Sequence, residues 1–256
     1  MPTPLPELSI VLPCYNEAAN LPLLAERFAV FRPRERFELI LVDNGSRDGS
    51  AAVLERLARE RSDFIRVVTV PENVGYGHGI LAGLAAARAP LLAYSHADVQ
   101  TPPEDVLRGL QMIRERRLDM GRTLVKGLRT RRRKAERLLT AGLAAVARWL
   151  LGYRMEDING QPKLFGRAFF ETWEDPPTDF SFDVYVLFAA RTAGMAVETF
   201  PVEFGTRLHG ESKWAAHALA KYRTILRYLA SILSISCRYY SSPARLWRRL
   251  PRWGGA

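Results

Sequence analysis

The chain is poor in cysteine and has no long apolar run. Only Cys14 and Cys237 occur among 256 residues, both in apolar surroundings, which argues against a disulfide framework or a zinc site and fits a reducing compartment. No run of about 18 uninterrupted apolar residues is present, so no transmembrane helix is expected. The N-terminus has no basic region followed by an apolar core, so we also expect no signal peptide.

Acidic residues are in deficit as well. The 27 Asp and Glu residues are outnumbered by 37 Lys and Arg residues, which gives a formal net charge of +10. Such a balance favours nucleic acid, anionic lipid or phosphorylated substrates as partners. A hydrophobic fraction of 48% is enough for a full core, and the length fits one domain with appendages.

Apolar runs alternate with helical segments through the first half of the chain. The runs predicted as strands cover residues 8–12, 37–42, 65–70 and 90–94. This alternation predicts βαβ units, and therefore an α/β fold with a parallel sheet.

The second half changes character. We predict strands at 126–128, shortly before 165 and at 196–202, and helices ending near 151, over 179–192 and over 215–239. We therefore expect one α/β domain over residues 1–214 and an amphipathic, basic helical tail over residues 215–256, suited to a membrane surface.

Acidic side chains follow three of the predicted strands. Glu17 follows the first strand, Asp43 the second and Asp98 the fourth. Because the carboxyl ends of parallel strands face one side of the sheet, these residues predict a nucleotide site. Asp98 is suited to hold a divalent cation on a diphosphate, or else to cap the helix that begins near Pro102.

Four ordered segments carry a family resemblance. They are residues 8–17, 42–50, 73–77 and 97–100. Their sequences and spacing resemble the successive motifs of family 2 glycosyltransferases, and most closely those of the dolichol- or polyprenyl-phosphate mannosyltransferase group. The resemblance implies a GT-A fold, which is a Rossmann-like, mostly parallel sheet with flanking helices. It also implies a nucleotide-sugar donor and a divalent metal, Mg²⁺ or Mn²⁺.

The resemblance also implies roles for residues around the donor. The residues expected to bind the nucleotide sugar are Pro13, Tyr15, Glu17, Asp43, Gly75 and Asp98. Asp98 would hold the metal on the diphosphate, with Gln100 as an auxiliary ligand. Arg207, Ser212 and Lys213 match a mobile loop that closes over the diphosphate, where positive charge stabilises the leaving group.

His96 stands where the family usually has an acidic residue. Imidazole can ligate Mn²⁺ but suits Mg²⁺ poorly. Three alternatives stay open on the metal: the ring faces away and Asp98 with Gln100 suffices, the preference shifts to manganese, or metal dependence is weak. A structural or donor-contacting histidine is the simpler interpretation.

The acceptor side is predicted from a basic run and from Asp157. The residues expected to meet a lipid phosphate are Lys126, Arg129, Arg131, Arg132 and Arg133, although such runs are usually solvated. Asp157 is predicted to contact the transferred sugar or the acceptor, or to form a structural salt bridge. Nucleic acid is a competing partner for basic and aromatic segments, but the donor motifs argue against it.

These features predict an inverting glycosyltransferase. It would move a hexose from GDP-mannose or a UDP-hexose to a polyprenyl or dolichyl phosphate, at the cytoplasmic face of a membrane as a peripheral protein. One alternative is a family 2 enzyme with a hydroxyl acceptor, which needs a base such as Asp157 or Asp183. The other is a non-catalytic, membrane-associated scaffold that binds nucleotides.

Overall fold

A single mixed sheet organises the protein. The computed structural model describes residues 5–130, 142, 145–146, 148–153, 155–203, 205 and 218–241. The strands are β1 (Leu8–Cys14), β2 (Phe37–Asn44), β3 (Ile65–Val70), β4 (Leu91–Tyr94), β5 (Thr123–Arg129), β6 (Lys163–Gly166) and β7 (Ala196–Val202). Their order across the sheet is β3-β2-β1-β4-β6-β5-β7. Only β6 among these strands runs antiparallel to its neighbours.

Helices cover both faces of the sheet. They are α1 (Leu21–Ala29), α2 (Ser50–Glu60), α3 (Tyr76–Ala86), α4 (Pro103–Arg116), α5 (Arg167–Phe170), α6 (Phe182–Thr192) and α7 (Ala218–Tyr240). Successive strand side chains point to opposite faces, so Ile10 packs with α1, α2 and α4 while Val11 packs with α3, α6 and α7. The central strands β1, β2 and β4 are buried on both faces and are accordingly near-continuous apolar runs. The predicted α/β class with flanking helices is confirmed.

The direction of β6 is a feature of the sheet that the sequence prediction left open. The chain returns from β5 and inserts β6 between β4 and β5, antiparallel to both. The turn that precedes β6 lies directly on β5, and two glycines allow this contact. A Cβ at Gly127 would lie 2.1 Å from the Gln161 carbonyl oxygen, and one at Gly160 would lie 2.2 Å from the Gly127 oxygen.

Helix α7 belongs to the predicted tail and packs on the domain. Tyr228, Ile232 and Ile235 are buried in the same apolar cluster as α3 and α6. The predicted domain boundary at residue 214 and the end of the tail lie outside the described residues. Within the described part of the chain, no helix has both the length and the apolar character that crossing a membrane requires.

Candidate active site

A cleft of about 580 Å³ opens at the carboxyl ends of β1, β2 and β3. Its lining consists of Tyr15, residues 45–47 and residues 71–73. Tyr15 lines this cleft at the carboxyl ends of the strands, where open α/β sheets bind ligands. Its contact with a nucleoside stays a prediction. The sequence prediction included Asn73 only as the first residue of the 73–77 motif and gave no role to residues 71 and 72, although these two follow a predicted strand directly.

Asp43 shapes the turn at the base of this cleft. Its side chain is buried, and Oδ1 accepts a hydrogen bond of 3.0 Å from the Ser46 backbone N–H. Gly45 adopts φ +71°, and a Cβ there would lie 2.6 Å from the Asn73 nitrogen. The turn after β2 is thereby held against the segment that follows β3, which fixes two walls of the cleft.

Glu17 and Pro13 lie beside the same strand ends. The Glu17 backbone N–H donates to Ser50 Oγ at 2.9 Å, and its carboxylate accepts from Asn20 Nδ2 at 2.5 Å. Pro13 lies under α3, since a Cβ at Gly79 would be 3.2 Å from the Pro13 Cβ. Donor contacts by these two residues stay predictions.

Gly75 packs against the protein itself. A Cβ at this residue would lie 2.4 Å from the Thr178 carbonyl oxygen, and the backbone φ is +149°. The same oxygen accepts a hydrogen bond from the His78 N–H at 3.0 Å. This close approach of two chain segments accounts for the glycine without a ligand, so its predicted donor contact has no further support here.

Asp98 lies at the end of β4 and does not cap α4. That helix is capped at Pro102 with no side-chain hydrogen bond. Instead, the buried Asp98 carboxylate accepts from the Gln100 N–H at 3.1 Å, across Val99 with φ +59°. The alternative of a helix cap is therefore wrong, and the carboxylate is held in a tight turn beside the strand ends.

Gln100 joins this turn to the chain that follows β7. Its Nε2 donates to the Gly205 carbonyl at 3.1 Å, and the Gly205 N–H donates to the Gln100 carbonyl at 2.9 Å. Nearby, the buried hydroxyls of Ser95 and Thr101 have no hydrogen-bond partner among the described residues. Unpartnered polar atoms on both sides of Asp98 fit a site that is completed by an ion or by ligand oxygens.

His96 is half-buried and packs on Tyr76. The two ring centroids are 5.6 Å apart, and Tyr76 stacks in turn on Phe180 at 5.5 Å. Burial lowers the pKa of His96 below its ordinary value, although the Asp98 and Asp183 carboxylates act in the opposite direction. Its neutral imidazole form is therefore favoured. No group of three or more His, Cys, Asp or Glu side chains suited to a metal occurs in the described part.

A buried polar cluster lies behind this ring stack. Asp183 Oδ1 accepts hydrogen bonds from Tyr94 Oη at 2.8 Å, Gln161 Nε2 at 3.0 Å and Lys163 Nζ at 2.5 Å. Gln161 Nε2 also donates to Tyr76 Oη at 3.2 Å. Sequence reasoning missed this use of Lys163, although a lysine within an otherwise apolar strand was the available signal.

Asp157 forms an ion pair with Arg129 at the end of β5. Asp157 Oδ1 accepts from the Arg129 guanidinium at 2.6 and 3.0 Å, and Oδ2 accepts from the Arg129 backbone N–H at 2.8 Å. Burial acts to raise the pKa of Asp157, but the Arg129 hydrogen bonds and charge outweigh it and lower the pKa. The salt-bridge alternative is thus present in the structure, while contact with sugar or acceptor stays a prediction.

Lys126 is buried rather than presented to solvent. Its Nζ donates to the carbonyl oxygens of Glu156 at 2.8 Å and Asp157 at 2.7 Å. A direct contact with an acceptor phosphate would require this lysine to change partners. The other predicted phosphate and diphosphate contacts lie outside the described residues; they are Arg131, Arg132, Arg133, Arg207, Ser212 and Lys213.

The buried lysine predicts a pH dependence of stability. Burial, with the nearby Lys163 charge, lowers the pKa of Lys126 from 10.5 to about 7. Between these two values the unfolded state binds more protons than the folded state, so the free energy of unfolding rises with pH in that window. Lys126→Met should flatten this rise by up to about 1.4 kcal/mol per pH unit above pH 7. Urea denaturation of the wild type and of Lys126→Met between pH 7 and 10.5 measures this difference. The same dependence of the free energy of unfolding on pH in the two proteins would contradict the prediction.

A comparison with known families gives a match over more than half of the chain. A family model described as "Glycosyl transferase family 2" matches residues 9–173. Two curated relatives are both named undecaprenyl-phosphate 4-deoxy-4-formamido-L-arabinose transferase. That of Pseudomonas aeruginosa (strain LESB58) is 39% identical over 42% of this chain and 32% of its own. That of Pseudomonas paraeruginosa (strain DSM 24068 / PA7) is 33% identical over 85% of this chain and 63% of its own. The chain therefore spans less than two thirds of the length of either relative.

Solved structures agree on the fold. Glucosyl-3-phosphoglycerate synthase from Mycobacterium tuberculosis matches with a TM-score of 0.67 and 20% identity, over 91% of this chain and 80% of that one. A mannosyltransferase from Pyrobaculum calidifontis, in complex with GDP-Man and Mn²⁺, matches with a TM-score of 0.61 and 20% identity, over 97% and 73%. These similarities confirm the predicted GT-A fold.

Proposed function

Because the chain belongs to glycosyl transferase family 2, we propose that it transfers a sugar from a nucleotide-sugar donor to a polyprenyl phosphate, with inversion at the anomeric carbon. The names of the two curated relatives support an undecaprenyl-phosphate acceptor. The similarity to structures that hold UDP or GDP-Man with Mn²⁺ supports a nucleotide-sugar donor.

Both carboxylates that could act as a general base already have partners, and this observation favours a phosphate acceptor. A hydroxyl acceptor needs a general base. Asp157 is ion-paired with Arg129, and Asp183 accepts three hydrogen bonds, one of them from Lys163. Both carboxylates are therefore poorly placed to take a proton. A phosphate acceptor is already anionic near neutral pH, so attack on the sugar requires no such base.

Positioning and charge would then supply most of the catalysis. We assign the nucleoside to the cleft lined by Tyr15 and residues 45–47 and 71–73. Asp98 and Gln100, with His96 as a further neutral donor, would hold a divalent cation, which when bound neutralises charge on the leaving diphosphate. A neutral nitrogen ligand favours Mn²⁺ over Mg²⁺. Arg207, Ser212 and Lys213 stay proposed contacts of the diphosphate.

A donor and acceptor panel tests this function. The full chain is incubated with UDP- and GDP-sugars, with Mn²⁺ or Mg²⁺, and with or without undecaprenyl phosphate. We expect one donor to give a lipid-linked sugar that forms only when the polyprenyl phosphate is present. Transfer to saccharides alone would instead support a hydroxyl acceptor. If nucleoside diphosphates with Mn²⁺ produced neither product nor a thermal shift, a non-catalytic scaffold would be supported.

We also propose that α7 lies against a membrane surface. Its buried face carries Tyr228, Ile232 and Ile235, and the opposite face exposes Leu226 (59%) and Leu233 (50%). Leu226 and Leu233 are seven residues apart and therefore lie on one side of the helix. An exposed apolar stripe on a basic protein suits an interface with anionic lipid.

Substituting this stripe should weaken membrane binding. Leu226→Gln with Leu233→Gln removes apolar area from the outer face while leaving the packed face of α7 intact. We expect co-sedimentation with vesicles containing anionic phospholipid to fall by about tenfold or more, because burying each leucine stabilises binding by roughly 1.5 kcal/mol. Val30→Gln, at a 72% exposed position after α1, is the matched control. Equal binding by the two variants would contradict the proposed surface.

A further inference from the structure

We propose that Asp157 is a positioning residue, which fixes the guanidinium of Arg129 for binding the acceptor phosphate. This inference rests on the proposed function and states which residues would hold the acceptor phosphate. It assigns Asp157 no contact with the reacting atoms. The residue acts through Arg129.

The contacts between the two residues are extensive. Arg129 gives Asp157 its backbone N–H, its Nε and a terminal guanidinium nitrogen, at 2.8, 3.0 and 2.6 Å. The Asp157 side chain is fully buried and that of Arg129 is 15% exposed. A free arginine side chain loses about 2 kcal/mol of conformational entropy when it is fixed. The ion pair orders the guanidinium before any ligand arrives, so phosphate binding avoids much of this cost.

The backbone around Asp157 is itself held in place. Asp157 has φ +43°, a left-handed conformation that few non-glycine residues adopt. Lys126 Nζ donates to the carbonyls of both Glu156 and Asp157, and the Gly160 N–H closes the turn on the Asp157 carbonyl at 2.8 Å. A turn with this much support keeps the carboxylate, and through it Arg129, in one position.

The local charge balance still favours an anion. Among the described side chains of this region, Arg129 and Lys163 are each paired with a carboxylate, that of Asp157 and that of Asp183. Lys126 is not paired with a carboxylate in these contacts, since its Nζ donates to two backbone carbonyls. With a pKa of about 7, Lys126 adds positive charge at the end of β5 at and below neutral pH. Asp157 can orient Arg129 without cancelling the attraction for a phosphate.

A double-mutant cycle on the full chain tests the inference. The variants are Asp157→Asn, Arg129→Gln and the two combined, each checked by circular dichroism and thermal melting. Steady-state kinetics with undecaprenyl phosphate separates KM for the acceptor from kcat, and thermal shift with nucleoside diphosphate and Mn²⁺ reports the donor site. Arg129→Lys keeps the charge but loses the planar fork.

We expect Asp157→Asn to raise KM for the acceptor by about tenfold, with kcat within about threefold and an unchanged donor shift. KM for the acceptor in the double variant should be no higher than in Arg129→Gln, because the two single substitutions remove the same interaction. Arg129→Lys should raise KM as Asp157→Asn does. If Asp157→Asn fails to fold, Asp157→Glu takes its place, because it keeps the charge but displaces the carboxylate from Arg129.

Three results would overturn the inference. An unchanged KM in Asp157→Asn, or additive effects in the double variant, would show that Asp157 does not act through Arg129. A fall in kcat with an altered pH profile and an unchanged KM would indicate a general base. Failure of the proposed function looks different, because the wild-type chain would then make no lipid-linked sugar at all.

Discussion

Replacing Asp98 with asparagine should lower kcat for sugar transfer by about 100- to 1000-fold, the range found when a group that stabilises transition-state charge is removed. Asp98 is the one carboxylate of the set His96, Asp98 and Gln100, and it is buried at the end of β4. Asparagine keeps the Oδ1 acceptor that the Gln100 N–H uses at 3.1 Å. The turn should therefore survive while the negative charge is lost.

Two measurements distinguish this effect from unfolding. We expect Asp98→Asn to melt within a few degrees of the wild type, and to lose the additional thermal shift that Mn²⁺ gives in the presence of nucleoside diphosphate. Asp105→Asn is the matched control, since Asp105 is also a buried carboxylate but pairs with Arg108 on α4. Full activity of Asp98→Asn, or an equal loss in Asp105→Asn, would remove Asp98 from the proposed donor site.

The parts of the fold that could be predicted are those in which a local pattern decides the outcome. The bounds of β3 and β7 match the prediction, because the apolar run and the strand coincide. Strands β1 and β2 continue two residues past their predicted ends, to Cys14 and Asn44. Parallel pairing continues there, with Cys14 opposite Asp43, so polar residues at a strand end need not terminate it.

The sequence could not show which distant segments of the chain contact each other. An apolar run predicts that β6 is a strand but carries no information on its direction. The glycine-rich segment suggested a ligand at Gly75, whereas the structure packs that residue against Thr178, about a hundred positions away in the chain. Asp183 was predicted only as a candidate base, and only the folded sheet brings Lys163 to its carboxylate.

The same buried pair should dominate stability. Replacing Asp183 with alanine is expected to lower the free energy of unfolding by about 3–5 kcal/mol, because it leaves a buried charge without its partner. Lys163 is fully buried and Asp183 is 3% exposed. The substitution also removes the acceptor that Tyr94 Oη and Gln161 Nε2 share, and each unpaired polar group adds its own desolvation cost.

The charge, rather than the lost volume, accounts for this expected loss, and a compensated variant separates the two causes. Lys163→Met combined with Asp183→Leu removes both charges at similar volume, so urea denaturation should show a loss of less than about half that of Asp183→Ala. Asp175→Ala gives the surface reference: its ion pair with Arg238 is 85% exposed on the aspartate side, and its removal should cost less than about 1 kcal/mol. If the double variant were as unstable as Asp183→Ala, the hydrogen bonds to Tyr94 and Gln161 would be the main source of stability. A loss in Asp183→Ala no larger than that in Asp175→Ala would mean that water reaches the Lys163–Asp183 pair. The polar cluster would then not hold the stacked rings of His96 and Tyr76 in a fixed, water-free position.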